Sequence, residues 1–198
     1  MFYKTVFSVS TDIFSGCTCV ITITCAATCL RKPTFTIQSR RMHIEIWSLG
    51  KENDSFIEEG VNYYFKKTQP WNSIELVVLQ PPKKMATTDV ARTKQVEEEM
   101  ILKRLTSNHY LVLLDERGKQ LNSVQWSQQM QQFMNQGVKT LVILIGGAFG
   151  VSEEVKSRAR QTWSLSGLVF PHQLVRLIVA EQVYRSFSIL NNSPYHHV

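Results

Sequence analysis

The stretch that most constrains this chain is TLVILIGGAFG, residues 140–150. Leu141 to Ile145 are all branched and apolar, so the segment has no polar face. A strand sends alternate side chains to opposite sides. An unbroken apolar run must therefore be covered on both, which is the pattern of an inner strand in a parallel sheet with helices on each face. Gly146 and Gly147 end the run.

The flanking sequence supplies the other layers. HIEIWSLG (43–50), SIELVVLQ (73–80) and YLVLLDE (110–116) read as strands, the second stopped by Pro81 and Pro82. WSLSGLVF (163–170) reads as a short strand or loop. Helices are expected over 54–69, 87–105, 123–137, 151–161 and 171–190. In the first, Phe56, Ile57, Val61, Tyr64 and Phe65 fall at helical spacing. Thr88 or Asp89 would cap the second, and Asn122 or Ser123 the third, which Gly137 would end. Pro171 stands at the first position of the last. Alternating strands and helices predict an α/β fold with a mostly parallel sheet and helices on both faces.

Residues 1–41 differ in character. They hold all four cysteines, Cys17, Cys19, Cys25 and Cys29, in a spacing that matches neither a disulfide framework nor a zinc site. The run CTCVITITCAATCL (17–30) is too short and polar for a bilayer span. It could be a secretory signal, an organelle presequence, or a segment upstream of a true start at Met42. The last is favoured, because a regular strand pattern begins abruptly at RRMHIEIWSLG. We therefore expect residues 1–41 to be a disordered extension and residues 42–198 to form a single domain. The net charge of +6 is lopsided too, for residues 42–198 carry 17 basic and 15 acidic groups, a net of +2. An anionic partner would have to be recognised by local patches, such as PPKK at 81–84, or that loop is simply solvated.

Ligands of open α/β sheets bind beyond the carboxyl ends of the strands. The loops 115–119, 146–150 and 164–170 qualify. GGAFG lets backbone approach a ligand closely but is neither G-x-G-x-x-G nor a P-loop. Asp115 and Glu116 could act as acid or base, or merely hydrate a strand end. Neither a Ser-His-Asp pattern nor H-E-x-x-H occurs. The final helix is apolar on more than one side, which places it centrally or at a subunit interface. Its pairs His172/Arg176 and Glu181/Arg185 each share a face. The second pair is either an internal ion pair or a working one.

LLDERGKQLNS, VILIGGAFG, WSLSGLVFPHQLVRLIVAEQVYRSFSIL and the terminal PYHH occur in that order. Together, from Met42 onward, they closely resemble the SPOUT-class large-subunit ribosomal RNA methyltransferase H family. The resemblance implies a C-terminal trefoil knot and an S-adenosyl-L-methionine site within it. It implies methylation of N3 of a pseudouridine in 23S ribosomal RNA on assembled ribosomes, by a cytoplasmic homodimer that needs no metal and no membrane. The cofactor contacts it implies are Leu114, Gly146, Leu165, Ser166, Gly167, Leu168, Val169 and Phe170. Val169 departs from the family pattern, which often has Thr there; Gly is common near Asn192. Tyr195, His196 and His197 are the implied catalytic residues, and His172 and Arg176 the implied contacts to substrate RNA. The competing reading from residues alone is a non-enzymatic α/β module that binds a nucleotide or RNA.

Overall fold

The computed structural model describes residues 41–50, 54–81, 90–147 and 149–195. Except for Arg41, the expected N-terminal extension lies outside them, as do the proposed caps Thr88 and Asp89. Ten elements alternate along the chain: β1 (His43–Leu49), α1 (Ser55–Thr68), β2 (Ser73–Leu79), α2 (Val90–Arg104), β3 (His109–Gln120), α3 (Ser123–Asn135), β4 (Thr140–Ile145), α4 (Glu153–Arg158), β5 (Gln161–Ser164) and α5 (His172–Leu190). The five strands form one sheet in the order β2-β1-β4-β3-β5, and every pairing is parallel.

The run that predicted a doubly covered strand is β4, whose Leu141 to Ile145 are all buried. Leu141, Ile143 and Ile145 point into one core, with Ile44, Ile46 and the helices α1, α3 and α5. Val142 and Leu144 point into a second core on the opposite face, with Trp47, Leu111 and Leu113, covered by Ile101 of α2 and Val155 of α4. Helices therefore lie on both faces. Arg176, Val179, Val183 and Phe187 of α5 are buried, and α5 packs between α1 and α3. Its over-apolar surface is explained by that central position.

Local chemistry sets several boundaries. Asn122 caps α3 through a reciprocal box, its Oδ1 accepting from the Gln125 N–H at 2.8 Å while Gln125 Oε1 accepts from the Asn122 N–H at 2.9 Å. α4 is shorter than its sequence pattern. Ser152 caps it by accepting from the Val155 N–H, Ala159 is extended, and the Arg160 N–H donates to Leu111 O, which turns the chain into β5.

β3 departs most from expectation. The strand expected to end at Glu116, with a loop over 115–119, continues to Gln120. After an irregularity between Leu114 and Lys119, Lys119 and Gln120 pair with Trp163 and Ser164. Gly118 permits this. A Cβ there would lie 2.5 Å from the Trp163 carbonyl carbon and 2.7 Å from its nitrogen. The short β5 is also pinned from below by Trp163, 1% exposed, whose ring meets Trp126 and Phe133 at 4.8 and 6.0 Å. Burying about 150 Å² of indole contributes about 4 kcal/mol.

Candidate functional site

A cavity of about 670 Å³ opens at the carboxyl ends of β3 and β4. That volume suits a cofactor-sized ligand. Leu113 and Leu114 end the regular part of β3, and Ile145, Gly146 and Gly147 form the floor after β4. The third wall is the loop after β5, from Ser164 to Phe170, with His172 and Val175 from the first turn of α5. Lys94 of α2 and Phe149 complete the opening.

Of the eight expected cofactor contacts, Leu114, Gly146, Leu165, Ser166, Leu168, Val169 and Phe170 line this cavity. Gly167 belongs to the same loop but does not line it; space around it is open to 4 Å. The loop is knit internally. The Ser164 hydroxyl donates to Ser166 O at 3.2 Å, and Ser166 Oγ accepts from the Leu168 N–H at 3.0 Å. Leu168 and Val169 are 72% and 90% exposed, so the outer lip is apolar and uncovered.

The residues fit a ligand with a flat ring and a short charged tail. Leu114, Leu165 and Phe170 supply apolar walls, while the glycine turn brings backbone close. At Gly147 a Cβ would fall 2.7 Å from Glu97 Oε2, so a side chain there would collide with that carboxylate. Burial raises the Glu97 carboxyl above its ordinary value, opposed by the Lys94 charge. Two of the other carboxylates are committed: Asp115 Oδ1 accepts from the Arg117 N–H at 2.9 Å, and Glu153 pairs with Lys156 at 2.7 Å. Burial, with the Arg176 charge, lowers the His172 imidazole below its ordinary value, so it is neutral near pH 7.

Arg176 does not reach the surface. It is 1% exposed, and its Nε donates to Ser48 Oγ at 2.8 Å and its guanidinium to Leu49 O at 3.3 Å. A direct contact to RNA is therefore corrected to an internal role, tying α5 to the end of β1. Glu181 and Arg185 form an ion pair, with Arg185 Nε donating to Glu181 Oε1 at 2.8 Å. This pair holds the tail. The Tyr195 hydroxyl donates to Glu181 Oε1 at 3.1 Å, Arg185 lies 4.8 Å above its ring, and Tyr184 meets it edge-on at 4.7 Å. Burial, then the hydrogen bond to Tyr64 and the Glu181 charge, push the Tyr195 phenol far above its ordinary value. It stays protonated and can donate but cannot serve as a base.

The turn into the tail follows a known design. Asn192 adopts a left-handed φ of 51°, its N–H bonds Ile189 O and the Ser193 N–H bonds Ser188 O at 2.8 Å. This is a Schellman end with Asn where Gly is commonest. Tyr195 does not line this cavity, and His196 and His197 lie outside the described residues. Sequence reasoning missed Lys94 and Glu97, for nothing in KQVEEEM separates them from a solvated helix face. At the opposite end of the sheet, His43, Glu45 and Glu75 have ligand atoms within 4.8 Å of one another. There Glu45 is already engaged by Trp47 Nε1 at 2.7 Å and by Arg104 at 3.6 Å.

A parallel α/β sheet whose cavity is walled by the ends of two inner strands and the loop into a central last helix has the ligand-binding arrangement of an open α/β protein. The comparisons narrow the class. Residues 42–196 match the family described as predicted SPOUT methyltransferase. The chain is 39% identical over 156 residues to "Ribosomal RNA large subunit methyltransferase H" of Flavobacterium johnsoniae, covering 79% of this chain and 99% of that one. It is 40% identical to the protein of that name from Christiangramia forsetii, with the same coverage. It is 41% identical to that from Trichlorobacter lovleyi, covering 79% of this chain and all of the relative. The chain belongs to the SPOUT methyltransferase family, in its ribosomal RNA large subunit methyltransferase H branch, and is a methyltransferase.

Proposed function

We propose that this methyltransferase uses S-adenosyl-L-methionine to methylate N3 of a pseudouridine in 23S ribosomal RNA, on assembled ribosomes, in the cytoplasm. The observation that carries this reading is the cavity, which gathers seven of the eight expected cofactor residues at the ends of β3, β4 and β5. The cofactor, when bound, supplies an electrophilic methyl group on a sulfonium. Leu114, Leu165 and Phe170 would clasp the adenosine ring, and the Gly146–Gly147 turn would admit the methionine part. Val169 lines the cavity yet is 90% exposed, so it would belong to the outer rim of the cofactor site. The trefoil knot belongs to this reading. In its support, the chain leaves the edge strand β5, skirts the cavity, and enters α5 against β1 and β4 in the middle of the sheet.

The imide proton of the target base must leave as the methyl arrives. His196 or His197 would take it, while the protonated Tyr195 would donate to the base or hold the tail in place. His172, neutral at the cavity wall, would contact the substrate. A homodimer accounts for two features. It would cover the exposed lip of Leu168 and Val169, and it would let the tail of one subunit reach the cavity of the other. With a net charge of only +2 over residues 42–198, RNA affinity must come from a composite surface and from shape. Among the described residues no helix is long and apolar enough to cross a membrane.

Two measurements test this. Calorimetry should show binding of S-adenosyl-L-methionine and none of NAD. Mass spectrometry of ribosomal RNA from a strain lacking the gene should reveal a pseudouridine without its N3 methyl group. Persistence of that methyl group, or preference for NAD, would refute the proposal.

A further inference from the structure

Glu97 presents an unmet acceptor beside the cavity. It lies one turn after Lys94 on α2, and its carboxylate presses on the glycine turn, with Oε2 and Oε1 at 2.7 and 2.9 Å from where a Gly147 Cβ would be. Oε2 is buried and has no hydrogen-bond partner. A carboxylate oxygen taken out of water without a partner is costly. Such an orphan in a native fold points to a partner that arrives from outside. Both of its neighbours, Gly147 and Lys94, line the cavity. The other acids there are differently placed: Asp115 bonds backbone, Glu153 pairs with Lys156, and Glu116 is exposed to water.

We propose that the Glu97 carboxylate receives the cationic end of the methyl donor across the glycine turn, as a specificity-determining residue. This rests on the reading that the cavity holds S-adenosyl-L-methionine. The donor carries two cations, the sulfonium and the α-ammonium, and either would satisfy the orphan oxygen. Burial already raises the carboxyl, so an arriving positive charge also restores its ionised form. A Cβ at position 147 would fall 2.7 Å from Glu97 Oε2 and push the carboxylate away from the turn, which accounts for glycine there.

Calorimetry on the full chain tests it with three ligands: S-adenosyl-L-methionine, S-adenosyl-L-homocysteine, and 5′-methylthioadenosine, which has neither cation. Glu97→Gln keeps the shape and removes the charge. It should weaken S-adenosyl-L-methionine about tenfold and leave methylthioadenosine unchanged. Glu97→Asp, which keeps the charge, should recover part of the loss. A loss confined to S-adenosyl-L-methionine assigns the sulfonium, and a loss shared with S-adenosyl-L-homocysteine assigns the ammonium. Unchanged affinity in Glu97→Gln overturns the proposal, as does an equal loss for methylthioadenosine or a loss seen in Glu116→Gln instead. Failure of the unsubstituted protein to bind any of the three would refute the cofactor reading itself, and the proposal with it. A thermal unfolding midpoint close to that of the parent confirms that each variant is folded.

Discussion

Gly118→Ala should damage both stability and cofactor binding. The added methyl would meet Trp163 C, Trp163 N and Thr162 C at 2.5, 2.7 and 2.8 Å. Ordinary carbon contacts begin near 3.5 Å, so β3 and β5 must separate by about 1 Å. All three atoms are backbone, so no rotamer change relieves the clash. Overpacking of this kind costs about 1–3 kcal/mol. The upper half applies here, because Trp163 is wedged between Trp126 and Phe133 and resists displacement. For a domain of this size, about 2 kcal/mol lowers the unfolding midpoint by about 4–8 °C. The shift is also carried into Leu165–Phe170, which follow β5 directly and wall the cavity. Affinity for S-adenosyl-L-methionine should therefore fall about tenfold. Thermal unfolding and calorimetry on the same preparation read both effects. A variant within about 1 °C of the parent and with the parent's affinity would show that β5 is not held by the approach at Gly118, and the reasoning would be wrong.

Tyr195→Phe removes the donor to Glu181; it should cost about 1 kcal/mol of stability, slow methyl transfer at least tenfold, and leave cofactor affinity unchanged in calorimetry. His172 titrates below its ordinary value of 6.5 in the folded protein. The unfolded chain therefore holds more protons as the pH drops below about 6.5, and stability is lost in that direction. Denaturant titrations across that range should show a shallower acid loss in His172→Gln. Asn122→Ala removes the side-chain half of the α3 capping box and leaves the Gln125 N–H without its acceptor; a loss of about 1 kcal/mol is expected in denaturant unfolding.

What could be read from the residues depended on how local each cause is. The doubly covered strand β4 was legible because five successive apolar residues have one structural solution. The α3 start was legible to within one residue, as Asn122 or Ser123, because both types cap helices; the reciprocal bond with Gln125 selects Asn122. The extension of β3 was not, since RGKQ looks like a turn until β5, more than forty residues later, arrives to pair with it. From the sequence, Arg176 is expected to contact substrate RNA from a helix covered on more than one side; only the fold reveals that Ser48 and Leu49 claim it. The loop that walls the cavity, 165–170, was legible through motif resemblance, whereas Lys94 at the cavity opening was hidden in an ordinary charged helix. The tail's partner Tyr64 lies 131 residues upstream, a distance no local pattern spans.

The strand order carries a consequence for how the molecule is made. β4 is the fourth strand to be synthesised, yet it sits between β1 and β3. Until residue 145 has emerged, β1 can pair only with β2, and β3 waits with both edges open. Unpaired edges of apolar strands invite mispairing and aggregation. The nascent chain is therefore most vulnerable between synthesis of Gln120 and Ile145, and insertion of β4 is the event that commits the fold. A protein truncated before β4 should be captured by chaperones, whereas one truncated after β4 should already protect its β1 amides from exchange.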